Sequence, residues 1–297
     1  MARFALLLAL TAPLAAADAI PVPAAAAAVK WRHGRAAALS GQPGAPQIRV
    51  FGSTGLERSI DVRAAIRGAR QAEAADFLLD DAGAVHALVL AALPLGRDER
   101  LFCSFPESGS ARCLPLKETR CRLLAGDGAG SLWCFGEGPA DMFLHRLEGP
   151  PSGPRFWMPA KSLRGIAARP GTRVWLESPA QGRLWLVLAD AGLLAETDLA
   201  SGVVELRRLP GLPLPGSAPS FSACSGRLWA LLPLEQRGGA ERLDAPYGLF
   251  ELDHVWRRIA PERRWLRGAR LAGCEPGAAW IWNRAAHRLE RVPVPAP

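Results

Sequence analysis

A short element recurs along this chain at intervals of a little under fifty residues. It is a glycine followed by an apolar strand that often carries tryptophan two or three positions later. Its clearest copies are Gly130-Ser131-Leu132-Trp133, Gly182-Arg183-Leu184-Trp185 and Gly226-Arg227-Leu228-Trp229, and weaker copies begin at Gly34, Gly83 and Gly277. The six glycines lie 44 to 52 residues apart. This interval is typical of β-propeller blades, which span about 40 to 50 residues each.

Each repeat unit also predicts four short strands. An apolar run and a turn signal precede the glycine, as at residues 77–79 and Asp80-Asp81-Ala82-Gly83. A second hairpin follows the tryptophan strand, as at residues 193–199 and 203–209 around Ser201-Gly202. Comparable pairs of runs lie at 48–51 with 57–62, 101–105 with 111–116, 142–147 with 155–158, and 248–252 with 255–259. Each unit is therefore predicted to be a four-stranded meander.

These units predict an all-β fold, a β-propeller of about six four-stranded blades. One unit cannot bury its apolar face alone, and closing the stacked units into a ring leaves no long exposed strand edge. The last unit ends one strand short at residues 287–294, so we expect the segment 20–29 to complete it and close the ring. The composition of residues 61–75 fits either a helix or a connection between blades.

The turn, the Gly-x-Leu-Trp element and the second hairpin resemble the blades of NHL-type, virginiamycin B lyase-like and gluconolactonase-like (regucalcin-like) six-bladed propellers. This resemblance is architectural and covers nearly the whole predicted domain. For a gluconolactonase-like enzyme it implies a divalent metal such as Ca²⁺ at the channel mouth, held by side chains from different blades, an early glutamate among them. The corresponding stretch here, residues 29–33, has no carboxylate, and Asn283 is the only asparagine.

Four acidic residues near predicted inner strands are the candidates for such a metal site: Asp80, Asp127, Glu177 and Glu275. Carboxylate oxygens are the ligands that hard cations prefer. The same residues also suit hairpin turns, where acidic side chains accept hydrogen bonds from nearby backbone. Convergence of the four at one channel mouth would favour a metal-assisted hydrolase or lyase, whereas scattering over hairpin tips would favour a protein without a cofactor.

No other catalytic pattern stands out. The five histidines, His33, His86, His145, His254 and His287, are isolated and have no spacing that places two ligands on one face. The sequence contains no G-x-S-x-G elbow, no P-loop and no Rossmann glycine set. The residues Ser201-Gly202 and Ser225-Gly226 suit turns.

The first residues predict export. Arg3 precedes an apolar run over residues 4–14, and small residues that suit signal peptidase follow it. Cleavage is expected before Ile20, or before Asp18 in a competing A-x-A frame. We therefore assign residues 1–19 to a signal peptide and residues 20–297 to a single propeller domain of a periplasmic or secreted bacterial protein. No later apolar segment reaches the roughly 20 residues that a transmembrane helix needs.

The chain is strongly basic, with a formal charge of +8 and arginine in place of nearly all lysine. Two alternative explanations account for this excess of arginine: codon bias in a GC-rich genome, or a functional need for positive charge. Export makes nucleic acid an improbable partner, and an anionic polysaccharide, lipopolysaccharide or membrane surface fits the charge.

Two short runs combine flat aromatic rings with arginine, a pairing that suits anionic partners. They contain Trp256, Arg257 and Arg258 in the first run and Arg263, Arg264 and Trp265 in the second. A charged strand edge explains the same residues. The repeated Trp133, Trp185 and Trp229 are expected to pack between blades, whereas Trp31 and Trp157 fall outside the repeat and are further recognition candidates.

Six cysteines in an oxidising compartment predict disulfides. Cys103 and Cys113 flank a turn on the outer strands of the second unit, and Cys121 and Cys134 flank a turn on the inner strands of the third. Cys224 and Cys274 occupy equivalent positions in the last two units, so their bridge would join two blades. Buried free thiols are the alternative for each pair.

The sequence favours an exported, non-enzymatic propeller that binds or scaffolds a protein or an acidic polymer. A metal-assisted hydrolase or lyase of gluconolactonase-like type is the alternative.

Overall fold

The computed structural model describes residues 19–116, 121–137, 141–147, 155–159, 173–210, 219–234, 246–266 and 268–294. These residues form six antiparallel sheets of four strands each. Blade 1 contains β2(Ala28–Arg32), β3(Arg35–Gln42), β4(Ala45–Gly52) and β5(Gly55–Asp61); blade 2 contains β6(Gln71–Leu79), β7(Val85–Leu93), β8(Arg97–Phe105) and β9(Arg112–Pro115). Blade 3 contains β10(Cys121–Gly126), β11(Leu132–Glu137), β12(Asp141–Arg146) and β13(Arg155–Pro159).

The second half of the ring repeats this pattern. Blade 4 contains β14(Val174–Glu177), β15(Arg183–Leu188), β16(Leu193–Asp198) and β17(Val204–Arg208); blade 5 contains β18(Ser220–Cys224), β19(Arg227–Pro233), β20(Tyr247–Leu252) and β21(Trp256–Arg258). Blade 6 contains β22(Arg270–Glu275), β23(Ala278–Asn283), β24(Arg288–Pro293) and, paired to β24, the N-terminal β1(Ala19–Pro21). The predicted six-bladed, all-β propeller is confirmed. Its described helices are two three-residue 3-10 turns, Pro94–Gly96 and Ala189–Ala191, neither of which is long and apolar enough to cross a membrane.

The repeated glycines make the turn between the first two strands of each blade. All six adopt a positive φ, between 74° and 86°, which glycine reaches without the steric penalty of a Cβ atom. They are Gly34, Gly83, Gly130, Gly182, Gly226 and Gly277. The backbone requirement of one tight turn thus accounts for the repeat in the sequence.

The core lies between blades. Each of the six interfaces between neighbouring blades contains one cluster of buried apolar side chains. Trp133 and Trp229 are buried in two of these clusters, and Trp185 packs half-buried against a third, as the repeat predicted. A blade is therefore stabilised mainly by its neighbours.

The ring closes where the first strand pairs with the last. Ala19, Ile20 and Pro21 lie opposite Glu290, Leu289 and Arg288, and the Val22 amide donates to the His287 carbonyl. The prediction that residues 20–29 complete the last sheet is correct for the start of this segment and wrong for its last two residues. Residues from Ala28 onward already belong to the inner strand of blade 1, because Ala28 pairs with Leu39.

The segment 61–75 contains no helix: Asp61 ends β5, residues 71–75 begin β6, and residues 62–70 connect the two blades. Two i to i+3 backbone hydrogen bonds, Ile66 N to Arg63 O and Ala69 N to Ile66 O, form consecutive turns before β6 begins. Val62 and Ile66 are buried in the cluster between blades 1 and 2. This burial of two apolar side chains fixes the connection without a regular helix.

All three predicted disulfides form. Cys103 and Cys113 lie directly opposite each other on β8 and β9, and Cys121 and Cys134 join β10 to β11. The Cys224–Cys274 bridge joins the inner strands of blades 5 and 6. Three disulfides suit an oxidising, extracellular compartment.

Candidate functional site

The inner strands of the six blades surround a central channel with a cavity of about 680 Å³. Residues of β2, β6, β10, β14, β18 and β22 all line it. This volume lies within the range of pockets that bind small ligands. The cavity therefore brings side chains from all six blades to one place.

The charges around the cavity are unevenly distributed. Four basic side chains line it, Lys30 and Arg32 from blade 1 and Arg270 and Arg284 from blade 6. The lining carboxyl groups are Glu177 of blade 4 and Glu275 of blade 6, and Glu275 is paired with Arg291 at 2.8 Å. The wall formed by blades 1 and 6 is consequently positive.

Lys30 is held by a carboxylate of the next blade. Its Nζ lies 2.6 Å from Oδ1 of Asp76 and 5.5 Å from the centre of the Phe77 ring. The other oxygen of Asp76 accepts a 2.7 Å hydrogen bond from the Leu124 amide. One buried aspartate thus joins the inner strands of blades 1, 2 and 3 and fixes the position of the ammonium group.

Arg32 reaches from blade 1 towards blade 3. Its Nε donates to Asp81 at 3.0 Å, and Nε2 of His33 lies 2.6 Å from the same oxygen. A Cβ atom placed on Gly126, at the end of β10, would lie 3.7 Å from the Arg32 guanidinium. The absence of a side chain at Gly126 leaves the guanidinium accessible from the channel.

Glu177 lies in blade 4, opposite blade 1 in the ring. Its Oε2 accepts hydrogen bonds of 3.2 Å from the Ser222 hydroxyl and from the Ala223 amide of blade 5. Burial raises the pKa of Glu177 to about 7, because removal of water penalises the charged form. The Ala223 and Ser222 hydrogen bonds and the positive charges of Lys30 and Arg32 oppose this rise without cancelling it.

Comparison with known proteins supports the fold alone. No protein-family model matches the sequence. No curated protein matches it. Among solved structures, the Hadza microbial sialidase Hz136 shares 10% identity at a TM-score of 0.53, over 93% of this chain and 66% of that one. The β-propeller domain of Cps50 (Swd1) from Myceliophteria thermophila shares 9% identity at a TM-score of 0.47, over 91% and 96% of the two chains. A luciferin-regenerating enzyme shares 10% identity at a TM-score of 0.43, over 80% and 78%.

Two of the four acidic metal candidates are bonded within their own turns. Asp80 accepts the Ala84 amide and contacts Nε2 of His86 at 2.8 Å, six residues further on. Asp127 accepts the amides of Ala129 and Ser131. Its second oxygen accepts the Nε1 of Trp133, again six residues further on.

Blades 2 and 3 therefore share one hydrogen-bonding arrangement. In each, an aspartate after the inner strand accepts hydrogen bonds from the backbone of the following turn and also contacts a ring nitrogen on the second strand. Ser104 completes a chain with His86 and Asp80 through a 2.8 Å contact to Nδ1 of His86. Because a tryptophan, which cannot accept a proton, occupies the His86 position in blade 3, we interpret this chain as structural.

The four carboxyl groups do not form one ligand set. Asp80 and Asp127 serve turns, Glu177 contacts blade 5 and Glu275 pairs with Arg291. Among the residues that the structure describes, no three or more His, Cys, Asp or Glu side chains are arranged to hold a metal ion. Within the described residues, the contacts of these four carboxyl groups are with other protein groups and not with one another.

The aromatic and basic runs are only partly available at the surface. Trp265 is buried and donates to Glu290, and half-buried Trp256 donates to the Pro210 carbonyl. Arg257 pairs with Glu251 at 2.6 Å. Arg258 donates to the carbonyl of Arg263, whereas Arg263 and Arg264 themselves are exposed.

The other two recognition candidates are Trp31 and Trp157. Trp31 is buried and stacks on Trp280 with ring centres 3.8 Å apart. The side chain of Trp157 lies outside the described part of the structure.

Sequence reasoning missed the basic residues that line the cavity and two residues that hold its charged groups in place. They are Lys30, Arg32, Arg270 and Arg284, together with Asp76, which pairs with Lys30, and Ser222, which donates to Glu177. One signal was present: polar residues on the predicted innermost strands, which otherwise consist of apolar residues. Lys30 and Arg32 flank Trp31 in this way.

Proposed function

We propose that this protein is an exported, non-enzymatic binding module whose channel mouth holds an acidic polymer. The observation that carries the proposal is the positive wall of the cavity, formed by Lys30, Arg32, Arg270 and Arg284. Anionic groups are attracted to clefts lined by one sign of charge, and low-dielectric walls strengthen that attraction. An acidic polysaccharide outside the cytoplasm is the partner class that this charge fits best.

The state of the two lining carboxyl groups supports an anionic ligand. Glu275 is neutralised by Arg291, and the raised pKa of Glu177 leaves it partly uncharged near pH 7. Lys30 and Arg32 have carboxylate partners, and the two arginines of blade 6 that line the cavity, Arg270 and Arg284, add further positive charge to it. Half-buried Trp175 offers an apolar ring to a sugar at the same wall as Glu177.

The proposal is tested with trigalacturonate as the probe and maltotriose as its neutral counterpart. Binding is measured by titration calorimetry at low and at moderate salt. We expect trigalacturonate to bind and maltotriose not to, with an affinity that falls as salt rises because the interaction is electrostatic. Arg284→Gln and Arg270→Gln should each weaken binding by roughly tenfold, the loss of one charge-assisted hydrogen bond.

Arg264→Gln is the matched control, because Arg264 is an exposed arginine outside the channel. It should leave the affinity unchanged. If Arg264→Gln weakens binding and Arg284→Gln does not, the basic run 263–264 is the binding surface instead. Absence of binding by the unmodified protein would favour a protein partner and contradict the channel proposal.

A further inference from the structure

We propose that Glu177 makes the channel specific for carboxylate-bearing saccharides by donating a hydrogen bond from its own carboxyl group to the carboxylate of the ligand. This inference rests on the proposed function and adds the residue that selects the ligand. Two observations support it: Glu177 lines the cavity, and the hydrogen bonds that its carboxyl group accepts from the described residues go to one of its two oxygens.

The two oxygens of Glu177 have different surroundings. Oε2 accepts both the Ser222 hydroxyl and the Ala223 amide, which are hydrogen-bond donors of blade 5. Among the described residues, no donor or acceptor contacts Oε1 within hydrogen-bond distance. When the group is protonated, its proton therefore belongs on Oε1, where it is available to a ligand in the cavity.

A ligand carboxylate is the acceptor that suits this donor. It would lie between the positive wall of blades 1 and 6 and the neutral carboxyl of blade 4. Hydrogen bonds with one charged partner are shorter and stronger than neutral ones. Two carboxyl groups that share a site hold one proton between them, since like charges at close range raise the pKa of one of them. A sulfate ester, being a far weaker base, gains less from the same donor.

Charged groups of blades 1 and 6 share the cavity with Glu177. Lys30 and Arg32 of blade 1, paired with Asp76 and Asp81, act on its pKa, and Arg270 and Glu275 of blade 6 line the same cavity. His33 also lines the cavity, at the mouth of the channel. The inner strand of blade 5 contributes hydroxyl groups and no ionisable side chain, because its cysteine is bonded in a disulfide. His33 is thus the imidazole among the residues that line the cavity, and it needs a control variant of its own.

Binding of a carboxylate should consequently be linked to one proton. Below pH 7 Glu177 carries that proton before the ligand arrives, so affinity depends little on pH. Above pH 7 the proton must be taken up on binding, and affinity should fall by up to tenfold for each further pH unit. Trigalacturonate remains fully ionised throughout, so the ligand itself adds no change.

The experiment measures trigalacturonate affinity by calorimetry between pH 6 and pH 8.5 for the full chain and its variants. Glu177→Gln keeps a donor in place without an ionisable group. It should bind at pH 8.5 at least tenfold more tightly than the unmodified protein and show little dependence on pH. Glu177→Ala lacks the donor and should bind more weakly than Glu177→Gln at every pH.

Two controls separate Glu177 from its surroundings. Glu275→Gln removes a carboxylate from the same cavity and should shift affinity equally at all pH values, leaving the pH profile unchanged. His33→Asn should also keep the profile. A profile that disappears in His33→Asn and persists in Glu177→Gln would overturn the inference.

The remaining outcomes also decide the matter. Binding by the unmodified protein with no pH dependence would overturn the role of Glu177 and leave the channel proposal standing. Absence of trigalacturonate binding at every pH would instead remove the proposed function. Equal pH dependence for a trisulfated trisaccharide and for trigalacturonate would contradict the carboxylate specificity.

Discussion

At the scale of single residues, the charged groups of the channel are fixed by partners in neighbouring blades. Asp76 accepts from β10, Glu177 accepts from β18, and the Ser220 hydroxyl accepts the Leu271 amide of β22. These three side chains link successive inner strands, and two of them, Glu177 and Ser220, also line the cavity. Contacts between blades therefore fix the positions of groups on the channel wall.

Glu177 should make stability depend on pH even without a ligand. Its folded-state pKa, about 7, lies above the ordinary value of 4.5, so the folded chain holds a proton that the unfolded chain releases. Its contribution is fully favourable below about pH 4.5 and is lost as the pH rises through 7. Between pH 5 and 8, urea unfolding should show the unmodified protein losing roughly 2 kcal/mol relative to Glu177→Gln.

The matched variant for this measurement is Glu275→Gln, whose carboxylate is ion-paired at the same cavity. Its stability should run parallel to that of the unmodified protein over the same pH range. Parallel curves for Glu177→Gln as well would show that Glu177 ionises normally in the folded state.

At the scale of elements, the disulfides differ in how far apart along the sequence the strands that they join lie. The Cys103–Cys113 bridge spans 10 residues within a hairpin, whereas Cys224–Cys274 spans 50 residues and joins two blades. A longer closed loop restricts the unfolded chain more strongly. The bridge between blades is thus expected to contribute most.

Replacement of each cysteine pair by alanine tests this order. Loss of Cys224–Cys274 should lower the free energy of unfolding by about 4 kcal/mol, and loss of Cys103–Cys113 by about 3 kcal/mol. Urea denaturation of the two double variants, compared with the unmodified protein, measures the difference. The reverse order would show that the unfolded chain retains contacts between blades 5 and 6.

The elements were predictable because their causes are local. A positive-φ turn needs glycine, and a strand that packs between blades needs alternating apolar residues. Gly182 and Trp185 meet these two needs, so their spacing in the sequence predicts a blade. The residues of the channel were harder to foresee. Lys30 and Glu177 line one cavity because blades 1 and 4 face each other across the ring, and this placement depends on the number of blades. The disulfides were intermediate in predictability. Two pairs followed from local hairpin geometry, and the third followed from equivalent positions in two adjacent blades.

At the scale of the whole molecule, the ring depends on a three-residue strand. Ile20 and Val22 are buried in the cluster between blades 6 and 1, next to Trp280 and Leu289. Without this segment, β24 would be an unpaired edge and that cluster would be open to water. The stability of all six blades is therefore coupled to the N-terminal segment.

Deletion of residues 20–23 should lower the melting temperature by roughly 10 °C, because burial of two aliphatic side chains and the pairing of β24 are lost. Ala28 and the rest of the inner strand of blade 1 remain in this variant. Pro21→Lys, at an exposed position of the same strand, should melt like the unmodified protein. A deletion variant with an unchanged melting temperature would mean that the ring is held closed by its blade interfaces alone.

The pairing of β1 with β24 also sets an order of events during biosynthesis. The first strand of the fold leaves the ribosome before any other and finds its partner only when the last strand has followed it. Ring closure is thus a step that belongs to the completed chain, and it joins segments separated by nearly the whole sequence at a large entropic cost. A chain interrupted before Arg288 would have blades but would lack the pairing of β1 with β24, and such an unfinished product would present open strand edges to proteases.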